Sequence, residues 1–143
     1  MSSHRSVGLL DTSTVILLGR IEDIQQLPAE PVISTITLAE LAVGPLVATT
    51  GTERAARQAH LQQAESDFEP IPFDAAAARA FGRVAADLRA AGRKSRARAY
   101  DALIAAVAIA NGLPLFTVNP SDFAGIAAVD LVPVDHPDAE THP

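Results

Sequence analysis

Short apolar segments of strand-like period alternate with longer segments of helical period, and this alternation limits the fold more than any other feature of the chain. Val7-Gly8-Leu9-Leu10 reads as a first buried strand, with a helix over residues 14–19 after it. Val32-Ile33-Ser34-Thr35-Ile36 is rich in β-branched residues, which suit a pleated surface, and is expected as a second strand leading into a helix over residues 38–47. Thr52 is expected to cap a polar, alanine-rich helix reaching residue 67, with a thin apolar stripe of Ala56, Ala59, Leu61 and Ala64. Two prolines keep Glu69-Pro70-Ile71-Pro72-Phe73 extended. Asp74 then caps an amphipathic helix that buries Ala77, Phe81, Val84, Leu88 and Ala91, wets Arg79, Arg83 and Asp87, and stops at Gly92. Residues 99–111 are apolar nearly all round and predict a central helix; residues 115–118 and 130–134 predict the last two strands. Strands separated by helices need right-handed crossovers, so the sheet is expected to be mostly parallel.

The 143 residues suit a single domain, expected over residues 7–134 with loose ends at 1–6 and 137–143. An apolar content of 48% supplies an ordinary core. The absence of cysteine excludes disulfides, thiolate metal sites and cysteine nucleophiles, and fits a reducing compartment. Asp11 interrupts any signal-like apolar run, and the longest such run, Ala102 to Ala110, is too short to span a membrane; a cytoplasmic protein is expected. The net charge of −6 is a poor global match for a polyanion. Positive charge is nevertheless gathered in Arg89, Arg93, Lys94, Arg96 and Arg98, which reads either as a phosphate-binding strip or as a solvated loop.

In a parallel sheet, ligands bind outside the carboxyl ends of the strands. Asp11, Glu40, Asp101 and Asp122 all fall at or near that rim. Each has an ordinary helical role open to it. Asp11 suits an N-cap, Thr37-Leu38-Ala39-Glu40 fits a capping box, Asp101 suits a helix start, and Asn119-Pro120-Ser121-Asp122 suits a cap followed by proline. Together they bring like charges toward one crevice. Two unit charges about 5 Å apart repel by roughly 3 kcal/mol at an effective dielectric of about 20, so a cation is the simplest remedy. Carboxylates are hard ligands and select Mg²⁺ or Mn²⁺, ions suited to phosphoryl chemistry. His4, His60, His136 and His142 show no metal-ligand spacing, and there is no Walker-type loop. Ser13 and Thr117 are hydroxyls at the same rim, available to an acid, a phosphate or a turn.

Leu10-Asp11-Thr12-Ser13, Thr37-Leu38-Ala39-Glu40-Leu41, Asp101-Ala102-Leu103-Ile104-Ala105-Ala106 and Thr117-Val118-Asn119-Pro120-Ser121-Asp122-Phe123 occur in this order. With them the chain resembles PIN-domain toxins of the VapC type from about Val7 to Val134. The resemblance implies a three-layer α/β/α sandwich, Mg²⁺- or Mn²⁺-dependent cleavage of RNA, a homodimer, and inhibition by a VapB-type antitoxin. Asp11, Glu40, Asp101 and Asp122 match the family's acidic site, and Ser13, Thr117 and Asn119 its supporting polar positions. Val118 stands where the family often has arginine, and the strip of Arg93, Lys94, Arg96 and Arg98 is the expected substitute for an RNA contact.

On this reading Asp11 and Asp101 are the principal metal ligands, Glu40 handles the attacking water, and Asp122 completes the site. Tyr100 is the aromatic expected nearby. Two other readings compete. An aspartate-based phosphotransfer domain lacks its second acid, since Ser13 stands there, and its only lysine is Lys94. An inactive PIN-fold interaction module would not bind divalent ions at the acids. The apolar surplus of Val15–Leu18 and residues 38–47 suits either a sheet-covering core or a groove for an antitoxin segment.

Overall fold

The structure is a computed structural model that describes residues 6–93 and 98–139. Four short strands, β1 (Val7–Leu10), β2 (Glu30–Val32), β3 (Leu115–Thr117) and β4 (Leu131–Pro133), form one parallel sheet in the order β2-β1-β3-β4. Five α-helices join them: α1 (Thr12–Leu17), α2 (Thr35–Val47), α3 (Gly51–Asp67), α4 (Ala75–Ala90) and α5 (Ala99–Ala110). Both middle strands, β1 and β3, have paired neighbours on each side, so their carboxyl ends open at the centre of the rim.

Alternation along the middle strands divides the core into two layers. Leu9 and Leu115 face one way, into a cluster with Ala77, Val84 and Leu88 of α4 and Ile104, Ala105 and Ala108 of α5. Leu10 and Phe116 face the other way, toward Val15 and Leu17 of α1. A third cluster, Ile33, Leu41 and Ala64, seals α2 against α3. The result is the α/β/α arrangement expected, with α5 buried along most of its length.

A glycine in β1 leaves room for an aromatic ring from β3. A Cβ at Gly8 would overlap the ring of Phe116 and stand 3.0 Å from Cβ of Pro28, so that ring lies where a side chain would be.

Some element edges differ from expectation. β2 lies earlier than residues 32–36, and Thr35, Ile36 and Thr37 form the first turn of α2. The cause is Ser34, whose buried hydroxyl accepts the Thr37 N–H at 3.2 Å and caps the helix. Residues 33–35 instead meet the extended segment around Ile71, where Ile71 N–H donates to Ile33 O at 2.9 Å. Helix α1 begins at Thr12, capped by Asp11, and α3 is capped by Thr50 rather than Thr52. Ala56 and Ala59 are exposed, leaving Ala64 as the buried residue of α3, and Ala91 is exposed just past the end of α4. Past β4, Asp138 pairs with Arg20 and the Asp135 N–H donates to Oε1 of Gln26 at 2.8 Å. Among the described residues, no helix is long and apolar enough to cross a membrane.

Candidate active site

The two middle strands deliver the first components. Asp11 follows β1 directly and is 2% exposed. Its carboxylate does the work of a helix cap, with Oδ1 accepting the Thr14 N–H at 3.1 Å. It also receives two hydroxyls: Thr14 donates to Oδ1, and Thr117, at the end of β3, donates to Oδ2 at 2.7 Å. Each hydroxyl oxygen accepts a backbone N–H in turn, from Val118 to Thr14 at 3.1 Å and from Asn119 to Thr117 at 2.9 Å. Burial pushes the Asp11 carboxyl up from its ordinary range, while these bonds from Thr14 and Thr117 pull it down.

Glu40 stands in the second turn of α2, beyond the cap that Ser34 provides, and its carboxylate is free of a capping role. The Thr12 hydroxyl lies 2.6 Å from Oε1 of Glu40 and 3.0 Å from the Thr37 hydroxyl. With one proton on Thr12, donation to the carboxylate leaves Thr37 to donate to Thr12. Burial raises the Glu40 carboxyl, the Thr12 hydrogen bond opposes that, and the charge of Asp11 adds to it.

Asp101 lies in the first turn of α5, next to Tyr100, which is half exposed. Its carboxyl is pushed up to about 7 by burial and by the negative charges of Asp122, Asp11 and Glu40, against the opposing charge of Arg98. The other three acids thus all raise the negative charge felt at Asp101. Asp122, in the short 3-10 turn Pro120–Phe123 after β3, is held by Arg98 with Nη1 to Oδ1 at 2.6 Å. This ion pair brings the start of α5 against the end of β3.

The remaining expected residues fall as follows. Ser13 is half-buried in α1, and Thr12 and Thr14 on either side of it carry the bonds to the acids. Asn119 contributes its backbone N–H. The stem of Arg93 packs at the Gly125 turn, where a Cβ would meet its Cδ at 3.1 Å. Lys94 and Arg96 lie outside the described residues. Thr14 was signalled only by its spacing from Asp11, and Thr12 only by its place in the motif Leu10-Asp11-Thr12-Ser13.

A divalent ion fits this site in chemistry: the four acids are hard oxygen donors, and their mutual repulsion adds to the burial that lifts Asp101. Among the described residues, no three acidic or histidine side chains are arranged as a ready-made cage. At Glu40 a cavity of about 250 Å³ is lined by Thr12, Ile16, Glu40, Leu41, Gly44, Arg57 and His60. A groove of about 600 Å³ between α1 and α3 adjoins it, sharing Ile16 and His60 and adding Val15, Leu18 and Phe68.

The sequence pattern of the PIN domain matches residues 9–129. The chain belongs to the PIN-domain family. Within that family it is similar to Ribonuclease VapC5 of Mycobacterium tuberculosis, 40% identical over 139 residues that span 94% of this chain and all of the relative. Among solved structures, this PIN-domain chain is similar to VapBC-5 of Mycobacterium tuberculosis, a member of the VapBC family of toxin-antitoxin systems. That likeness has a TM-score of 0.76 and 36% identity, over 90% of this chain and 99% of the other. A second likeness, with a TM-score of 0.70 and 25% identity over 90% of this chain and 99% of the other, is to VapBC2 of Rickettsia felis bound to a DNA fragment from its promoter. These relatives place the chain among PIN domains of the VapC type.

Proposed function

We propose that this chain is a Mg²⁺- or Mn²⁺-dependent endoribonuclease, a cytoplasmic VapC-type toxin that works as a homodimer and is held inactive by a VapB-type antitoxin. The observation that carries the reading is the convergence of Asp11, Glu40, Asp101 and Asp122, from four separate elements, on the rim of the two middle strands. Full-length similarity to a named ribonuclease supports the choice of RNA.

Asp11 and Asp101 are the residues that would hold the ion, with Glu40 and Asp122 completing its surroundings. When bound, the ion lowers the pKa of water and offsets the charge that develops on the phosphate. Glu40 Oε1 accepts from Thr12, which leaves Oε2 to take the proton of the attacking water. The water oxygen forms a bond to phosphorus, the bond from phosphorus to the leaving ribose oxygen breaks, and that oxygen leaves with a proton from solvent. Arg98 exchanges part of its pairing with Asp122 for a phosphate oxygen of the RNA, supplying the cation that Val118 does not.

Ile16, which lines the cavity at Glu40, and Val43, Leu46 and Val47 of α2 are exposed apolar side chains. An apolar antitoxin segment laid along them covers that cavity. The test is cleavage of RNA by purified wild-type protein and by Asp101→Asn, both shown folded by circular dichroism. The proposal expects cleavage by the wild type and none by the variant; equal cleavage by both contradicts it.

A further inference from the structure

A hydroxyl fully buried between two structural elements has to be there for what it bonds. The Thr14 side chain is 0% exposed, donates to Oδ1 of Asp11, and accepts the Val118 N–H at 3.1 Å. The helix cap itself requires nothing of this side chain: it uses the backbone N–H of residue 14, at 3.1 Å from the same Oδ1, which most residues would supply. A valine of nearly the same shape would fill the space, keep the cap and lose the linkage. Thr117 repeats the arrangement on the other oxygen, donating to Oδ2 and accepting the Asn119 N–H.

Directionality follows from these partners. An N–H engages a lone pair of each hydroxyl oxygen, so each hydroxyl proton is turned toward Asp11. The carboxylate is thereby gripped at both oxygens by groups fixed to the β3 end, and the plane in which its other lone pairs point is set. We propose that Thr14 is a positioning residue that, with Thr117, orients the Asp11 carboxylate for a divalent cation. This rests on the reading of Asp11 as a metal ligand. Hydrogen-bonding groups behind a ligand commonly alter metal affinity by about 10–100-fold when removed.

The test compares wild type, Thr14→Val and Thr14→Ser, each shown folded by circular dichroism and thermal melting. Mn²⁺ affinity is measured by isothermal titration on the full chain. The proposal expects Mn²⁺ to bind about 10–100-fold more weakly to Thr14→Val and Thr14→Ser to recover most of the loss. A folded Thr14→Val that binds Mn²⁺ as the wild type does overturns it, because a purely structural role would lower the melting temperature alone. The Asp11 carboxyl ¹³C signal of metal-free protein, assigned with Asp11→Asn, is the second reading. It is expected to move in Thr14→Val and return in Thr14→Ser. If the wild type binds no Mn²⁺, the metal-dependent function fails, and this signal still decides whether Thr14 positions Asp11: an unmoved signal refutes it. Should Thr14→Val not fold, Thr14→Ala takes its place in both measurements.

Discussion

Asp101 is the residue at which the surroundings of the site act most strongly. Its carboxyl lies at about 7 in the folded chain, through burial first and the neighbouring acids second. On unfolding it returns to the ordinary carboxylate range, so between those limits the folded state binds the extra proton. Stability of metal-free protein must therefore fall as pH rises through about 7, and the raised carboxyls of Asp11 and Glu40 act in the same direction. Asp101→Asn should flatten that fall and stabilise chelator-treated protein near pH 8 by about 1–2 kcal/mol, allowing for solvent screening of a half-buried group. Urea unfolding at about pH 5 and about pH 8 checks it. A steeper loss of stability in the variant would show that the acids do not repel as placed. The sequence showed the same acids as ordinary caps, and for Asp11 the cap and the proposed site role coexist in one carboxylate. Glu40 was harder to read, because Thr37 resembles an N-cap until Ser34 is seen to hold that position. The pairing of Arg98 with Asp122 was not legible at all, since a charged side chain does not signal a partner 24 residues away.

At the scale of elements, the site depends on β1 and β3 being paired neighbours in the sheet. Phe116 fills the space over Gly8, and the same two strands carry Asp11 and Thr117 at their ends. Gly8→Ala must displace that ring. It is expected to cost about 1–3 kcal/mol, as overpacking of a tight core usually does. A guanidinium unfolding curve measures it, and an unchanged midpoint would mean that the ring moves aside freely. The order of strands and helices was legible because apolar period and breakers agree along most of the chain. The α4 helix is the clearest case, with Asp74 as cap and Gly92, at φ 73°, beyond its end. The start of α2 was misread because β-branched Thr35, Ile36 and Thr37 favour a strand locally. A capping serine and contacts with the Ile71 segment overrule that preference.

At the scale of the whole molecule, a net charge of −6 and the proposed nucleic-acid substrate are reconciled by where the acids sit. Four of them converge on one rim, so the charge that would repel RNA is also the charge that would collect a divalent cation. The parallel sheet makes this possible by bringing the carboxyl ends of β1 and β3 side by side, while α5 and α2 carry Asp101 and Glu40. The central claim is that these carboxylates act through a metal on RNA. It is tested most directly by mapping the cleavage of total RNA by purified protein in the presence of EDTA and after Mg²⁺ is restored. Cleavage should vanish with EDTA and return with Mg²⁺; cutting that persists in EDTA at the same sites and rate would contradict it.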